Sequence, residues 1–459
     1  MKPSKKLTNF DLTIIVVSFV IGMGIFRTPI NVAQASGTPI LFFAAWLIGG
    51  AIAICGALTY AEIGSRMPGT GGYYQVIAYA YHPSIAFAVN CVILVSNAAS
   101  LGAVALIGGE YVTSMIMPQS QNQLWLLNST NSERIQTIQI FIAISSIVFF
   151  YGINLLGLKK SARAQNLMTI VKLLMILLLI SPLFFSSKNI HTSILSPPSS
   201  PVFKEYLKAF GISLVAVCFT YGGYQQTINF GEEVIKPKKT IPKSIFSGIF
   251  IILILYILIN FAYVKVIGFE QLKSSKNIAA VMATKIFGIN AERMVTVLLF
   301  LSVLAYVNVL LLSNPRVMSA MSNDNILPKA FGKRNIKNDV LTTSLSVFSA
   351  ISILIIFWAK KFDTILSFTI FLDCFGMALS AGSIFKIRRN TSYLNKSGIY
   401  MIKFYPWLPI IFIAAYSFVA ISLLITEIKI SLIGLAVLAG FIIIYFWVSF
   451  LQKRKESPK

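Results

Sequence analysis

Charged residues are scarce in this chain of 459 residues. Lys, Arg, Asp and Glu together make up 12% of it, whereas hydrophobic residues make up 56% and the mean hydropathy is +0.78. An ordinary soluble domain carries about 25% charged residues. A soluble fold of this length could not bury so much apolar surface, so the composition predicts an integral membrane protein.

Histidine and cysteine are also rare. The two histidines, His82 and His191, fall in predicted loops, which excludes a histidine proton relay within the membrane. The four cysteines all lie in apolar segments, so a disulfide framework is not expected. The sequence shows no His, Asp or Cys cluster with metal-ligand or general-base spacing. We therefore expect neither an enzyme nor a bound metal or other cofactor.

Acidic residues are few compared with basic ones. The chain has 15 Asp and Glu against 39 Lys and Arg, a formal net charge of +24. In a soluble protein this excess would suggest nucleic acid as a partner. Here the basic residues lie in short segments between apolar stretches, a pattern that orients membrane helices. We expect the lipid bilayer, and no nucleic acid, around this chain.

Apolar stretches of membrane-spanning length occur twelve times. A spanning helix needs about 20 predominantly apolar residues. We therefore predict an all-α membrane protein with twelve transmembrane helices. The predicted spans are approximately 10–35, 40–65, 83–115, 136–157, 164–186, 208–233, 242–267, 286–320, 341–359, 363–387, 404–425 and 429–452.

The distribution of basic residues predicts the orientation of these spans. Cytoplasmic segments carry an excess of Lys and Arg. With the N terminus inside, the predicted cytoplasmic segments hold about twice as many Lys and Arg as the external ones. The bias predicts a multi-pass protein of the cell membrane with both termini in the cytoplasm.

Glycines interrupt two of the predicted helices. The first span contains Gly22-Met23-Gly24-Ile25-Phe26, and the sixth contains Tyr221-Gly222-Gly223-Tyr224. Close packing of helices is one explanation, because small residues line helix interfaces in membranes. A pair of breaks at corresponding places in two halves of a chain is instead typical of the binding site of a transporter. Pro29, soon after the first break, favours this second interpretation.

The positions of the breaks predict an internal repeat. Spans 1–5 and spans 6–10 each begin with an interrupted helix, and an odd number of spans gives the two groups opposite topology, the inverted-repeat arrangement. We predict a transporter core over residues 1–388, with units at about 10–186 and 208–388. Two peripheral helices and a cytoplasmic tail follow over 389–459. Two parallel six-span halves are the alternative, but they would not explain these breaks.

The two breaks have opposite electrostatic character. The second half of span 1 begins around Gly24 to Thr28, where free N–H groups and the helix dipole favour a carboxylate. Pro29 suits the first turn of that half-helix, where an N–H has no partner anyway. The first half of span 6 ends around Phe219, Thr220 and Tyr221, whose free carbonyls suit an ammonium group. Together they predict a site for a zwitterion, most simply a free amino acid.

These segments resemble a known transporter family. The run Gly22 to Phe26 with Pro29 is similar to the first-span motif of the amino acid–polyamine–organocation superfamily. The run Phe219 to Tyr224 resembles the sixth span of L-type amino-acid transporter light chains. Further similarities are Glu232-Glu233, Pro237 and Ile241-Pro242 after span 6, and Pro68-Gly69-Thr70-Gly71-Gly72-Tyr73 between spans 2 and 3.

The resemblance implies a set of substrate contacts and an outer gate. Main-chain amides of the first break would bind the substrate carboxylate, and main-chain carbonyls of both breaks would bind its amino group. The aromatic ring of Phe219 would close over the substrate from outside. The residues implied as substrate-binding are Val20, Gly22, Met23, Gly24, Ile25, Phe219, Thr220, Tyr221 and Gly222.

The chain departs from the family pattern in two places. Met23 replaces a common serine, so the main-chain donor is kept but a hydroxyl group is lost. The loop after span 3 has no cysteine, and we therefore expect no disulfide-linked partner subunit. The expected assembly is a monomer or a weak homodimer.

Three charged residues lie within predicted spans. Lys172 resembles the fifth-span lysine of several relatives, where an ammonium group takes the place of a sodium ion. It is either a proton carrier or a permanently charged link between spans 1, 5 and 8, and both roles argue against sodium coupling. Arg27 is expected to cap or order the second half of span 1, and direct contact with the substrate is the alternative. Asp373 either pairs with a basic group, carries a proton, or is held by local hydrogen bonds.

Three asparagines within predicted spans, Asn97, Asn229 and Asn308, are further candidates for the pocket.

The sequence therefore predicts a secondary amino-acid transporter. We expect neutral L-amino acids to cross by alternating access without sodium, through proton symport or exchange. The alternative substrate class is a cationic amino acid or a polyamine, bound through Asp373. Two weaker hypotheses are a sensor that binds amino acids without moving them and a membrane-embedded enzyme. A channel is disfavoured because the sequence shows no repeated filter or charge ring.

Overall fold

The computed structural model describes residues 6–22, 24–116, 129–185, 203–275, 277–358, 362–396 and 398–456. Throughout these ranges the chain is built from helices. In chain order they are α1 Asn9–Val20, α2 Gly24–Ser36, α3 Pro39–Arg66, α4 Gly72–Ala80, α5 Pro83–Ile116, α6 Ser129–Leu155, α7 Leu158–Ile180, α8 Pro182–Phe185, α9 Phe203–Tyr221, α10 Pro237–Ile267, α11 Phe269–Ser274, α12 Ile278–Phe287, α13 Ile289–Asn323, α14 Thr342–Trp358, α15 Phe362–Asn390, α16 Trp407–Thr426 and α17 Ile428–Glu456.

Every predicted span has a counterpart among the described helices, and the short helices α4, α8, α11 and α12 are additional to these counterparts. Eleven segments are long and apolar enough to cross a membrane, with α1 and α2 together forming the first. The ninth predicted span is the shorter apolar helix Thr342–Phe357. The prediction of an all-α protein with twelve spans is confirmed, whereas the proposed division into a core over 1–388 and a peripheral part over 389–459 stays a prediction.

Several spans begin earlier than predicted, among them the fifth and the seventh. The fifth begins at Leu158 rather than near residue 164, directly after Gly157, whose positive φ of 101° ends the preceding turn. The seventh begins at Pro237 and continues through Pro242. A proline inside a helix cannot donate to the carbonyl four residues before it. The Ser65 hydroxyl supplies the missing donor, at 2.8 Å from the Lys238 carbonyl.

The first and sixth spans are both broken, as predicted. Helix α1 ends at Val20 and α2 begins at Gly24, while α9 ends at Tyr221 and a 3₁₀ helix follows over Tyr224–Asn229. Between them, Gly223 has a φ of 112°, a conformation that favours glycine. A Cβ at this position would also lie 2.8 Å from the Phe19 carbonyl oxygen. The two breaks therefore meet directly.

A tyrosine from the seventh span ties the breaks together. The Tyr256 hydroxyl lies 2.8 Å from the Val20 carbonyl oxygen and 3.3 Å from that of Thr220, one on each side. The ring of Tyr256 is fully buried and packs against Tyr221 and Trp46. Helix geometry leaves the Val20 and Thr220 carbonyls without a partner within their helices. The packing of the Tyr256 ring holds its hydroxyl where it can donate to them.

Ion pairs cluster where the N terminus meets the ends of the sixth and eighth spans. The Glu233 carboxylate lies 2.6 Å from Arg316 Nε and 3.2 Å from Arg334 Nη2, and Asp339 pairs with Arg334 and Lys6 at 3.2 and 3.3 Å. We call these five residues the terminal-side ion cluster. The Glu233 carbonyl also accepts the Lys6 and Leu7 amides at 2.9 and 3.0 Å.

A second buried ion group joins spans 2 and 10. Glu62 and Arg66 have fully buried side chains 2.7 Å apart, and Arg388 Nε lies 3.5 Å from the same carboxylate. The Ile402 amide donates to the other Glu62 oxygen at 2.7 Å. Because Glu62 satisfies three donors at once, its removal would leave buried charge without a partner.

This geometry predicts a large difference between two Glu→Ala variants. Glu62→Ala should lower the free energy of unfolding by about 3–5 kcal/mol, because it strands a buried arginine. Glu270→Ala should cost about 1 kcal/mol or less, since Glu270 pairs with Lys273 while 84% of its side chain is exposed. Thermal unfolding of the two purified variants in detergent measures the difference, and equal melting temperatures would contradict the prediction.

Candidate functional site

A cavity lies against both helix breaks. It contains about 1140 Å³ of space between atoms, including the part open to solvent. Small-molecule sites typically occupy roughly 300–1,000 Å³. The lining residues come from spans 1, 3, 6, 8, 10 and 11 and include Val20, Gly22, Gly24, Arg27, Thr28, Asn97, Ser100, Cys218, Phe219, Thr220, Gly222, Gln226, Tyr306, Thr369, Asp373, Met377 and Tyr416.

The cavity extends from the breaks away from the side that carries the N terminus. It follows α2 beyond Gly24 through Arg27 to Asn31, but along α1 it includes only Phe19 and Val20. On the N-terminal side, the terminal-side ion cluster and the main-chain contacts of Leu7 hold the chain together. This structure is therefore closed at the N-terminal side and more open at the opposite side.

The donor pole is the start of α2. The first N–H groups of a helix have no partner within it, and in α2 these include the amides of Gly24, Ile25 and Phe26. Gly24 lines the cavity, whereas the Ile25 side chain is fully buried elsewhere. Met23, which was predicted to contribute an amide, lies outside the described residues.

The interpretation of Pro29 needs a correction. We expected it in the first turn of the half-helix, where its missing N–H would cost nothing. Helix α2 begins at Gly24, so Pro29 is the sixth residue and lies inside the helix. Its ring therefore removes one internal hydrogen bond, to the Ile25 carbonyl. The prediction was wrong because the sequence fixes the break only to within several residues.

The acceptor pole is the end of α9. The last four carbonyls of a helix have no partner within it, and α9 ends at Tyr221. The Gly222 amide bonds to the Phe219 carbonyl at 3.1 Å, and the Thr220 carbonyl has only the long contact to Tyr256. Each of these two oxygens therefore has a lone pair to spare.

Two residues predicted at the acceptor pole are placed differently. The Val20 carbonyl accepts both the Gly22 amide and the Tyr256 hydroxyl, each at 2.8 Å, so its two lone pairs are used. Tyr221 does not line the cavity, and its ring packs against Trp46 and Tyr256. Phe219, Thr220 and Gly222 do line it.

Lys172 lies behind the first break rather than in the cavity. Its side chain is fully buried, and its ammonium group donates to the carbonyl of Ile21, the residue that caps α1. Close by, Gln165 donates to the Ser18 hydroxyl and, at 3.1 Å, to the Ala305 carbonyl. Spans 1, 5 and 8 are thus joined at the depth of the break.

Arg27 and Glu110 form a loose pair at the more open end of the cavity. Their charged groups are 3.9 Å apart, with 35% and 55% of the side chains exposed. Arg27 also lines the cavity. A pair this exposed contributes little to stability.

Asp373 lines the cavity and accepts a hydrogen bond from the Ser96 hydroxyl. The Ser96 Oγ donates to it at 3.2 Å, and among the described residues no basic side chain forms an ion pair with it. The expected pairing with a basic group is therefore not seen, and local hydrogen bonding is. One turn earlier, Thr369 is 3% exposed, and no described residue forms a hydrogen bond with its hydroxyl.

Only one of the three asparagine candidates reaches the cavity. Asn97 lines it and accepts from Gln226 at 3.2 Å. Asn229 instead accepts the Tyr73 amide and fixes the loop between spans 2 and 3, while Asn308 donates to Gln165. Polar lining residues that sequence reasoning missed include Ser100, Gln226, Tyr306 and Thr369. A polar face on a predicted span would have been the only signal for them.

Comparisons with known proteins agree over nearly the whole chain. The profile of the family described as "Amino acid permease" matches residues 7–450. The Serine/threonine exchanger SteT of Bacillus subtilis (strain 168) is 28% identical over 454 residues, covering 98% of this chain and 97% of its own. The human Large neutral amino acids transporter small subunit 2 is 24% identical over 96% of this chain and 80% of its own. The human Cystine/glutamate transporter is 25% identical over 84% and 74%.

Proposed function

The chain belongs to the amino acid permease family, and we propose that it carries neutral L-amino acids across the cell membrane by alternating access. The observation that carries this proposal is the meeting of two helix breaks at one cavity. Amides at the start of α2 and carbonyls with a spare lone pair at the end of α9 belong to residues that line the same cavity. Such a pair complements the carboxylate and the ammonium group of one small zwitterion.

Neutral substrates are favoured because the main chain supplies both poles. Two relatives are named for neutral amino acids, a serine/threonine exchanger and a large neutral amino acids transporter. A cationic amino acid or polyamine remains the second candidate, since the Asp373 carboxylate lines the cavity without a basic partner among the described residues.

The same geometry supports a transport cycle. The terminal-side ion cluster holds one side shut, and its opening requires the separation of Glu233 from Arg316 and Arg334. Phe219, which lines the cavity next to the acceptor pole, is the proposed gate on the opposite side. With both termini cytoplasmic, the structure corresponds to an outward-facing state. We propose a monomer or weak homodimer without a disulfide-linked subunit.

We further propose that transport is independent of sodium and proceeds by exchange or proton symport. The Lys172 ammonium group donates to the Ile21 carbonyl at the first break. This carbonyl is one of the main-chain oxygens that the break leaves without a helical partner. A positive charge therefore already occupies the position next to it.

Uptake into proteoliposomes tests the proposed function. The purified protein, reconstituted with or without an internal amino acid, should take up labelled neutral L-amino acids above the level of empty liposomes. Replacement of external sodium by potassium at zero membrane potential should leave the rate unchanged. Strong inhibition by that replacement would contradict sodium independence. Binding without uptake would instead support a sensor.

A Gly24→Leu variant tests the donor pole. An added Cβ would lie 2.9 Å from the Thr220 Cγ2 and 3.3 Å from its Cα, so the side chain would press the two breaks apart. We expect loss of the thermal stabilisation that an amino acid gives to the wild type. Gly440→Leu is the matched control, because a Cβ there meets no atom within 4 Å. Normal affinity in Gly24→Leu would remove the proposed carboxylate site.

A Lys172→Ala variant tests the coupling role of the buried lysine. If Lys172 carries the coupled proton, uptake by the variant should no longer depend on pH. Lys208→Ala, at an exposed position of α9, is the control and should keep the wild-type pH profile. An unchanged profile in Lys172→Ala, together with a lower melting temperature, would assign the lysine a structural role only.

A further inference from the structure

One face of the tenth span presents polar groups to the cavity. Thr369, Asp373 and Met377 follow each other at intervals of four residues along α15, so they lie on one side of the helix. All three line the cavity, together with Ile370. The Asp373 carboxylate therefore has an apolar side chain on one side and a hydroxyl group on the other.

Several oxygen atoms around this face lack a hydrogen-bond donor. Among the described residues, the buried Thr369 hydroxyl has no hydrogen-bond partner, and neither has the Gln226 Oε1. Ser96 is the one described donor to Asp373, although a carboxylate can accept about four hydrogen bonds. Buried polar atoms without partners are rare in folded proteins, because each one has lost its hydrogen bonds to water without replacing them.

The neighbouring polar groups are already paired with each other. The Ser100 and Tyr306 hydroxyls lie 2.8 Å apart, and Asn97 donates to Asn314 at 2.7 Å. The Gln226 amide nitrogen is used by Asn97. The atoms in this part of the lining that still lack a described hydrogen-bond partner are therefore mainly oxygen atoms that can accept a hydrogen bond. A ligand group that donates hydrogen bonds would complete it.

We propose that Asp373, Thr369 and Gln226 form a side-chain subsite that selects amino acids whose side chain donates a hydrogen bond. This inference rests on the proposed function, in which main-chain groups of α2 and α9 hold the two ends of the zwitterion. The fit between the substrate's own side chain and this subsite then decides which amino acids bind. Side chains with a hydroxyl group and side chains with an ammonium group are two kinds that carry such a donor.

Isosteric pairs of substrates separate donor recognition from size. Threonine and valine have nearly the same shape, but only threonine has a hydroxyl donor, and lysine can be compared with norleucine in the same way. A site that is built to hydrogen-bond a substrate group rejects the analogue that lacks it by far more than a hydrophobic pocket does. We therefore expect that threonine inhibits uptake at least about tenfold more strongly than valine, or that lysine does so relative to norleucine.

The experiment is competition against labelled amino-acid uptake in proteoliposomes, for the wild type and three variants of α15. In Asp373→Leu, the two members of the preferred pair, the one that the wild type distinguishes, should compete about equally, a ratio of about one. Asp373→Asn keeps an acceptor oxygen but loses the charge, so a threonine preference should partly survive it, whereas a lysine preference should not. Ser383→Ala is the control, because that hydroxyl bonds to the Leu379 carbonyl at 3.1 Å and should leave the ratios unchanged.

Thr369→Val supplies a second test that does not remove the buried carboxylate. It changes a hydroxyl to a methyl group of the same size and should lower the ratio of the preferred pair while the protein stays folded. Ratios near one for both pairs in the wild type, or a preference that survives both Asp373→Leu and Thr369→Val, would overturn the subsite. These results presuppose measurable uptake, whereas failure of the proposed function would appear as no uptake of any amino acid.

Discussion

The structure depends on how main-chain groups are satisfied where two membrane helices are interrupted. In the middle of a bilayer no water is available for unpaired N–H and C=O groups, and each such group costs several kcal/mol. The protein meets part of this cost with its own side chains. Tyr256 serves the Val20 and Thr220 carbonyls, Lys172 serves Ile21, and the Gln225 side chain accepts the Gly223 amide at 2.8 Å. Of the groups that remain, those of Gly24, Phe219 and Thr220 belong to residues that line the cavity.

Much of this arrangement could be predicted from the sequence, because it follows from length and backbone chemistry. Twelve apolar stretches of spanning length predict twelve helices, and paired glycines predict where two of them break. Both predictions were confirmed. Glycine positions also indicated which main-chain groups would lie near the cavity, as they do for Gly22, Gly24 and Gly222. The exact ends of the helices were less predictable, and Pro29 was therefore placed in the wrong turn.

The side chains of the cavity could not be predicted in the same way. Asn97 and Asn308 both lie in apolar spans, yet one lines the cavity and the other bonds to Gln165. The difference depends on the rotation of each helix against its neighbours, which the composition of a nearly uniform apolar span does not fix. Spans 3 and 8 are apolar all round, so their sequences carry little signal for a lining face.

The two ion groups on buried ends of helices have different consequences for movement. Glu62 and Arg66 belong to the same helix, so the pair itself can persist if that helix moves as a unit. Glu233 and Arg316 lie in different spans, and relative movement of those spans must break their contact. Separation of a buried ion pair is costly unless water reaches both charges. In the proposed cycle, opening of the N-terminal side would therefore require hydration of Glu233, and a bound solute could favour opening only if it binds the opened state more tightly than the closed one.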